Sequence, residues 1–255
     1  MLCMRARPFL TTSTFSITFS PPKRLPRLTP RTFSVRPTMS STIEHIVLFK
    51  VKSDTDQSKV NTMINNLNGL VSLDQVLHLT SGPVIRTGSS LFSFTHMLHS
   101  RYNSKDDLDA YSQHPAHMSV VKESVLPICE DVMAVDWVAD QSPNPVALPA
   151  GSAIRITFLK LKENLGEEVK NEILGVIKGL KASFGGIEQL TCGENFSPVR
   201  AKGFSIASIA VFKGVKELEE ADSNEELVKL QKEKIKEYLE GVIVVDYVVP
   251  SASSL

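Results

Sequence analysis

Between Leu108 and His117 the chain reads Leu-Asp-Ala-Tyr-Ser-Gln-His-Pro-Ala-His, so one phenol, Tyr111, and two imidazoles, His114 and His117, fall within ten residues. Proline disfavours helical geometry in the residue before it and suits the first turn of a helix, so His114-Pro115 marks the boundary between two short helices. His117 then lies in the first turn of the second helix. The positive end of a helix opposes protonation of an imidazole there, which favours a neutral ring able to act as a base or a hydrogen-bond partner. Spacing alone favours a helix junction with surface histidines, so the elements around it have to decide.

Those elements occur twice. Ile43-Glu-His-Ile-Val-Leu-Phe-Lys-Val-Lys52 matches Ala153-Ile-Arg-Ile-Thr-Phe-Leu-Lys-Leu-Lys162, with Lys50 against Lys160 at an offset of 110. The same offset relates Phe94 to Phe204 and Val135-Asp-Trp-Val138 to Val245-Asp-Tyr-Val248. A register held at the first, third and last strands indicates a duplicated domain. The proline-containing stretch Gln141–Gly151 reads as an extended linker between a first domain at 41–140 and a second at 152–250.

Within each copy the apolar period alternates between two and 3.6, giving the order strand, helix, strand, strand, helix, strand. In the first copy the strands are expected at Ile43–Lys52, Val76–Thr80, Leu91–Tyr102 and Val132–Ala139, with a helix from about Asp56 to Leu73. In the second, Val169, Ile173, Val176, Ile177, Leu180 and Phe184 recur at helical spacing, and Ser223 with Glu226 reads as a capping box. The fold class is α+β: two ferredoxin-like, split βαβ domains, each an antiparallel sheet of four strands with helices on one face.

Such a sheet brings further groups towards the Tyr111–His117 stretch. Ile43, His45, Val47, Phe49 and Val51 share one face of the first strand, and Phe92, Phe94, His96 and Leu98 one face of the third. These strands are central neighbours, so His45 and His96 are expected on the same side, with Tyr111 and His117 in the helix layer above. A lone histidine on an apolar face is usually a satisfied core residue. Two of them beneath a phenol and a third imidazole make a polar cluster in an apolar pocket, where burial favours neutral imidazole.

Bulk properties exclude several classes. The 28 basic and 28 acidic residues cancel, which leaves no field for nucleic acid, and no apolar run reaches the roughly 20 residues a membrane span needs. Cys3, Cys129 and Cys192 are scattered, so neither a disulfide framework nor a zinc site is indicated. Before Glu44, the first acidic residue, stand Arg5, Arg7, Lys23, Arg24, Arg27, Arg31 and Arg36 among Ser, Thr and Pro, so residues 1–40 look like a disordered transit peptide. Met39 offers a second start. The tail, 251–255, ends in Ser253-Ser254-Leu255, which resembles the Ser-Lys-Leu peroxisomal address with serine in the middle place.

The strand Glu44–Phe49, the segment Phe94-Thr95-His96, the stretch Tyr111–His117 and the closing Val135-Asp136-Trp137 resemble the plant stress-responsive A/B barrel domain, a dimeric α/β barrel family. The resemblance is close over 43–140 and weaker over 153–249. It implies that the two copies pack sheet to sheet as a pseudo-dimer in one chain; association of two chains beyond that barrel is left open. It also implies a role in stress response through a small apolar or phenolic ligand, without assured catalysis. The alternative is a polyketide cyclase-like enzyme, since the family includes a plant cyclase that closes a linear polyketide by aldol condensation. By that likeness His117 is the general base, Tyr111 polarises a carbonyl oxygen, and His45 and His96 orient the substrate. Some members hold magnesium near the end of the first helix, for which the comparable places are Asn68, Val71, Ser72 and Asp74. In the second copy the four positions of the cluster become Arg155, Ile206, Ala221 and Leu227, so its polar roles are expected to be lost and the pocket to belong to the first copy alone.

Overall fold

The computed structural model describes residues 42–89, 92–224 and 235–251. The first half contributes β1 (Ile43–Val51), α1 (Gln57–Gly69), β2 (His78–Pro83), β3 (Arg86–Gly88), β4 (His96–Tyr102), α2 (Lys105–Gln113), α3 (Pro115–Val120) and β5 (Cys129–Val138). The second contributes β6 (Ala153–Leu161), α4 (Glu167–Ser183), β7 (Ile187–Glu194), β8 (Ile206–Phe212), α5 (Val215–Ser223) and β9 (Leu239–Val248). One sheet has the order β2-β4-β1-β5, and the other β3-β9-β6-β8-β7, with neighbours antiparallel throughout. No helix among the described residues is long and apolar enough to cross a membrane.

The helices form where the sequence provides caps and a stripe. The Asp56 carboxylate accepts from Ser58 N at 2.7 Å and opens α1, whose Val60, Met63 and Leu67 are buried at spacings of three and four. Ser104 Oγ accepts from Asp107 N at 3.1 Å and opens α2, which buries Leu108 and Tyr111. α2 ends at Gln113 and Pro115 is the first residue of α3, as the proline rule expects. The expected capping box is different. Ser223 lies at the end of α5 with its hydroxyl donating to Glu219 O, and Glu226 lies outside the described residues.

Each sheet is buried on two faces. Val47, Phe49, Leu98 and Ala134 of the first sheet face α1 to α3, as Leu159, Ile206 and Phe212 of the second face α4 and α5. The alternate residues, among them Ile46, Leu48, Met97, Val135 and Trp137, meet Ile156, Phe158, Ile209, Val245 and Tyr247 in one core shared by both halves. This shared core is the inside of a barrel. Its seam is tied by β3 of the first half pairing with β9, by an isolated bridge of Trp137 to Asn195, and by Thr80 Oγ1 to Tyr247 Oη at 2.7 Å.

The third strand departs from its expected course. It begins at His96, and Phe94 belongs to the shared core while His96 and Leu98 face the helices. The ladder is not continuous across 92–95, so the face shared by Phe94 and His96 in an unbroken strand is lost. Three earlier residues, Arg86–Gly88, leave the first sheet to lengthen the other.

At one end of the barrel the apolar core gives way to a knot of charges. Glu44, His99 and Arg101 are fully buried. Arg101 Nε donates to both Glu44 carboxylate oxygens at 3.1 Å, His99 Nε2 donates to one at 2.6 Å, and Thr191 Oγ1 from the second half donates to the other at 3.1 Å. The rest of the guanidinium donates to Val146 O at 2.7 Å and to Gln189 Oε1 at 3.2 Å. Burial alone would raise the Glu44 pKa, but Arg101 and His99 together hold it down to about 2. His78, edge-on to His99 at 5.1 Å between ring centres, is driven down to about 3 by desolvation and is neutral.

Removing one partner of a buried pair leaves the other charge uncompensated, which costs roughly 3–5 kcal/mol. Arg101→Met is therefore expected to lower stability by about that much, and Glu44→Gln combined with Arg101→Met to recover most of it. Urea unfolding followed by tryptophan emission checks this; a double variant no more stable than Arg101→Met would contradict the pairing.

Candidate functional site

His45 projects from near the start of β1 towards the helix layer and is 3% exposed. Its Nδ1 donates to the Asp136 carboxylate on the neighbouring strand β5, in register directly opposite. The ring sits edge-on to Tyr102 at 6.2 Å and to Tyr111 at 6.5 Å, and Tyr111 in turn lies 4.6 Å from the ring of His117. Tyr102 Oη hydrogen bonds to Ser100 Oγ at 2.9 Å, and burial raises both tyrosine pKa values so that the phenols stay protonated. His45, Tyr111 and His117 are thus brought together by the strand and the helix junction.

His117 is half-buried. Its Nδ1 lies 3.0 Å from Ser112 O, a carbonyl that can only accept, so Nδ1 carries a proton and Nε2 is left as a lone-pair acceptor in the neutral ring. Burial is the main cause that lowers its pKa, partly opposed by the bond to Ser112. The neutrality expected from the helix terminus therefore arises chiefly from desolvation.

The second half completes this site. Asp136 N donates to Asn195 Oδ1 at 3.1 Å, and Phe196 N donates to Asp136 O at 3.0 Å, pinning the connection between β7 and β8 beside the carboxylate. Phe196 packs against the first half's helix-side core, with Lys105 Nζ 4.1 Å from its ring centre. The Asp136 pKa stays low because His45, the Ser197 hydrogen bond and the positive Arg200 outweigh desolvation. Sequence reasoning misses both Asp136 and the 195–200 connection as parts of a site. Asp136 lies inside a recognised strand motif, but nothing in its spacing ties it to His45.

His96 is placed apart from the other three. It opposes Phe49, whereas His45 opposes Ser100, so the two histidines share a face but lie four residues apart along the ladder, about 13 Å at the usual rise. The residues considered for magnesium lie at the end of α1 and in the connection that follows it. Asn68 uses both ends of its amide on the backbone of Ser81, at 2.8 and 3.0 Å, and Ser72 Oγ donates to Gly69 O. Val71 is exposed, and Asp74 is the one carboxylate of the set.

The second copy keeps one polar role that its residue types seem to abandon. Arg155, in the place of His45, donates from Nε to Asp246 at 2.8 Å, and Asp246 is the counterpart of Asp136. Asp222 and Arg86 close a quartet, with Arg86 Nε 2.6 Å from Asp246 and Arg86 Nη2 2.6 Å from Asp222. Arg86 comes from the first half, so the connection after β2 serves the second site as 195–200 serves the first. Where Tyr111 stands in one copy, the other has Ala221, which lines a largely apolar cavity of about 1130 Å³ with Arg155 in its wall. The cavity lining reaches Ile235, the first described residue after 225–234, and the counterpart of His117, Leu227, lies outside the described residues.

Two ferredoxin-like units closed back to back by one chain define a tandem α/β barrel with an imidazole–phenol cluster in its first half. The chain belongs to the stress responsive A/B barrel domain family, whose model matches residues 43–139 and again 154–249. It is 55% identical to a stress-response A/B barrel domain-containing protein of Arabidopsis thaliana, over 99% of this chain and 98% of that one. It is 53% identical to a second protein of that description from the same plant, over 84% of this chain and 100% of that one. A candidate monooxygenase of Fusobacterium nucleatum superposes with a TM-score of 0.58 at 15% identity, over 83% of this chain and 94% of that one, which bears on the fold alone.

Asp136→Ala strips the buried His45 N–H of its acceptor and is expected to cost about 1–3 kcal/mol, whereas Asp136→Asn, which retains an oxygen there, costs less. Paired urea titrations decide the matter, and equal losses would show that the carboxylate does not position the ring.

Proposed function

We propose that this stress-response A/B barrel protein acts through a small-ligand site in its first half, built on His45, Tyr111 and His117, with the second half as the structural partner that closes it. The observation that carries this reading is His117: half-buried, neutral, with Nδ1 committed to Ser112 O and Nε2 uncommitted beside the Tyr111 ring. An apolar aromatic wall with one acceptor and one protonated phenol suits a flat phenolic or carbonyl compound. The second reading is catalytic. His117 Nε2 would take the proton from an activated carbon, the Tyr111 hydroxyl would stabilise the enolate oxygen, and the enolate would attack a second carbonyl, after which the imidazolium returns its proton to the new alkoxide. It is favoured by the His45–Asp136 pair, which fixes a second imidazole beneath the phenol.

A thermal-shift series with phenols and β-diketones separates these readings. Wild type should be stabilised by at least one of them, and His117→Ala should lose the effect. Because burial depresses the His117 pKa, the neutral ring persists below pH 6.5, so stabilisation should hold from about pH 8 through 6.5 and fade only in stronger acid. Cyclised product formed by wild type and not by His117→Ala would establish the enzyme; ligand stabilisation identical in both proteins would refute the site.

We also propose a peroxisomal destination read from Ser253-Ser254-Leu255, with a plastid as the alternative when the basic segment 1–40 is translated. Both segments lie outside the described residues. A fluorescent protein fused ahead of Met39 should reach peroxisomes and should become diffuse when the last three residues are deleted; unchanged distribution would dismiss the signal.

A further inference from the structure

A second cleft, of about 730 Å³, lies between the start of α1, the end of β2 and the last strand of the second half. His96 is part of its wall, which accounts for the histidine that stands away from the His45 cluster. The cleft has the chemistry of a site for neutral molecules. Its polar groups are the carboxamides of Gln57, Asn61 and Asn65, the Ser81 hydroxyl and the His96 ring, and none of its lining residues carries a formal charge once His96 is neutral. Ile64 and Ile85 add apolar surface, and Tyr247 brings the second half into the wall.

Two details define its hydrogen bonding. Thr95 Oγ1 accepts from Val51 N at 3.1 Å and lies 2.9 Å from His96 Nδ1, which commits that ring nitrogen. His96 Nε2 is the ring nitrogen left to the cleft, a donor in one tautomer and an acceptor in the other. Ser81 is fully buried at the cleft, yet its hydroxyl has no partner. The Ser81 backbone, in contrast, is held on both sides by Asn68, at 2.8 and 3.0 Å, so the orphaned hydroxyl is fixed in place. Buried hydroxyls without a partner are uncommon, and each is a candidate contact for something that binds.

We infer that this cleft binds a neutral, hydroxyl-bearing molecule of the sugar or cyclic polyol class, one hydroxyl of which hydrogen bonds to His96 Nε2 while another accepts from Ser81 Oγ. A hydroxyl is both donor and acceptor, so it satisfies either group without bringing a charge into a cleft that has none to answer it. The volume accommodates one or two sugar rings. This site is independent of the reading given for His117, because it shares none of the three residues that carry that reading.

The test uses the full chain, with methyl β-glucoside, myo-inositol and octyl β-glucoside below its micelle concentration as probes, followed by the proton resonances of the His96 ring. At least one probe should shift those resonances saturably in the millimolar range. Ser81→Ala, expected to fold with an undiminished Tm because the lost hydroxyl had no partner, should weaken binding about ten-fold, and His117→Ala should leave it unchanged. Glucose 6-phosphate should bind at least about ten-fold more weakly than the methyl glucoside, for want of a cation. Stationary His96 signals, affinity untouched by Ser81→Ala, or a phosphorylated probe bound as tightly as the neutral one would each overturn the assignment. Loss of a ligand effect in His117→Ala at the first site would not bear on it.

Discussion

The closure of one sheet upon the other is the constraint from which the remaining features follow. A ferredoxin-like sheet covers one face with its own helices and leaves the other apolar, and here Ile46, Met97 and Val135 would meet water without Ile156, Ile209 and Val245 opposite them. The knot around Glu44 makes closure demanding as well as favourable. A carboxylate and a guanidinium without solvent are tolerable only if every oxygen and N–H is answered, and the answers come from Thr191, Gln189 and the linker carbonyls at 145 and 146. A closure out of register would strand these charges. The knot thus disfavours alternative pairings of the sheets more than it adds to the depth of the correct one.

The same closure makes both helix-side sites composite. The connection after β2 carries Arg86 to Asp246 and Asp222, and the connection after β7 carries Asn195 and Phe196 to Asp136. Ile85 N to Asp246 O and Phe196 N to Asp136 O are near-equivalent bonds about the pseudo-twofold axis, one per half. A ligand engaging His45 or His117 is therefore coupled to the packing of both halves, and its binding energy contributes to holding the barrel shut.

The duplication, the strand order and the helix junction at Pro115 are legible in the sequence, because each depends on local pattern: a repeat offset, a period, a proline. Which face of a strand looks into the barrel is not. Both faces of these strands are buried, so Ile46 to Phe49 reads as a continuous apolar run and the alternation that assigns a face is muted. Glu44, His99 and Arg101 accordingly resemble solvent-facing charges, although they are fully enclosed. His96 misleads for a related reason. Sharing a face with His45 is a statement about parity, whereas sharing a site requires equal height on the ladder, and the pairing of β1 with β4 sets its height four residues away. Asp136 is visible as a motif residue, but its partner emerges only from the pairing of β1 with β5.

The divergence of the copies is better described as an exchange of occupants than as a loss of polarity. The carboxylate survives in both, as Asp136 and Asp246, and each holds the cation or N–H donor that its strand neighbour provides: an imidazole in the first half, two guanidiniums in the second. What changes is the ring system above. Tyr102 and Tyr111 become Phe212 and Ala221, and the hydroxyl of Ser100 becomes the methyl of Ala210, so the phenols of the first cluster are missing at the equivalent places and Arg155 is already saturated by two aspartates. A cation with both carboxylates in place offers a ligand little. In the first half the carboxylate is spent on His45 and Ser197, leaving the imidazole of His117 as a proton acceptor and the phenol of Tyr111 as a protonated hydrogen-bonding group. That difference in residual hydrogen-bonding capacity, rather than any difference in fold, is the physical reason to place chemistry in one copy and support in the other.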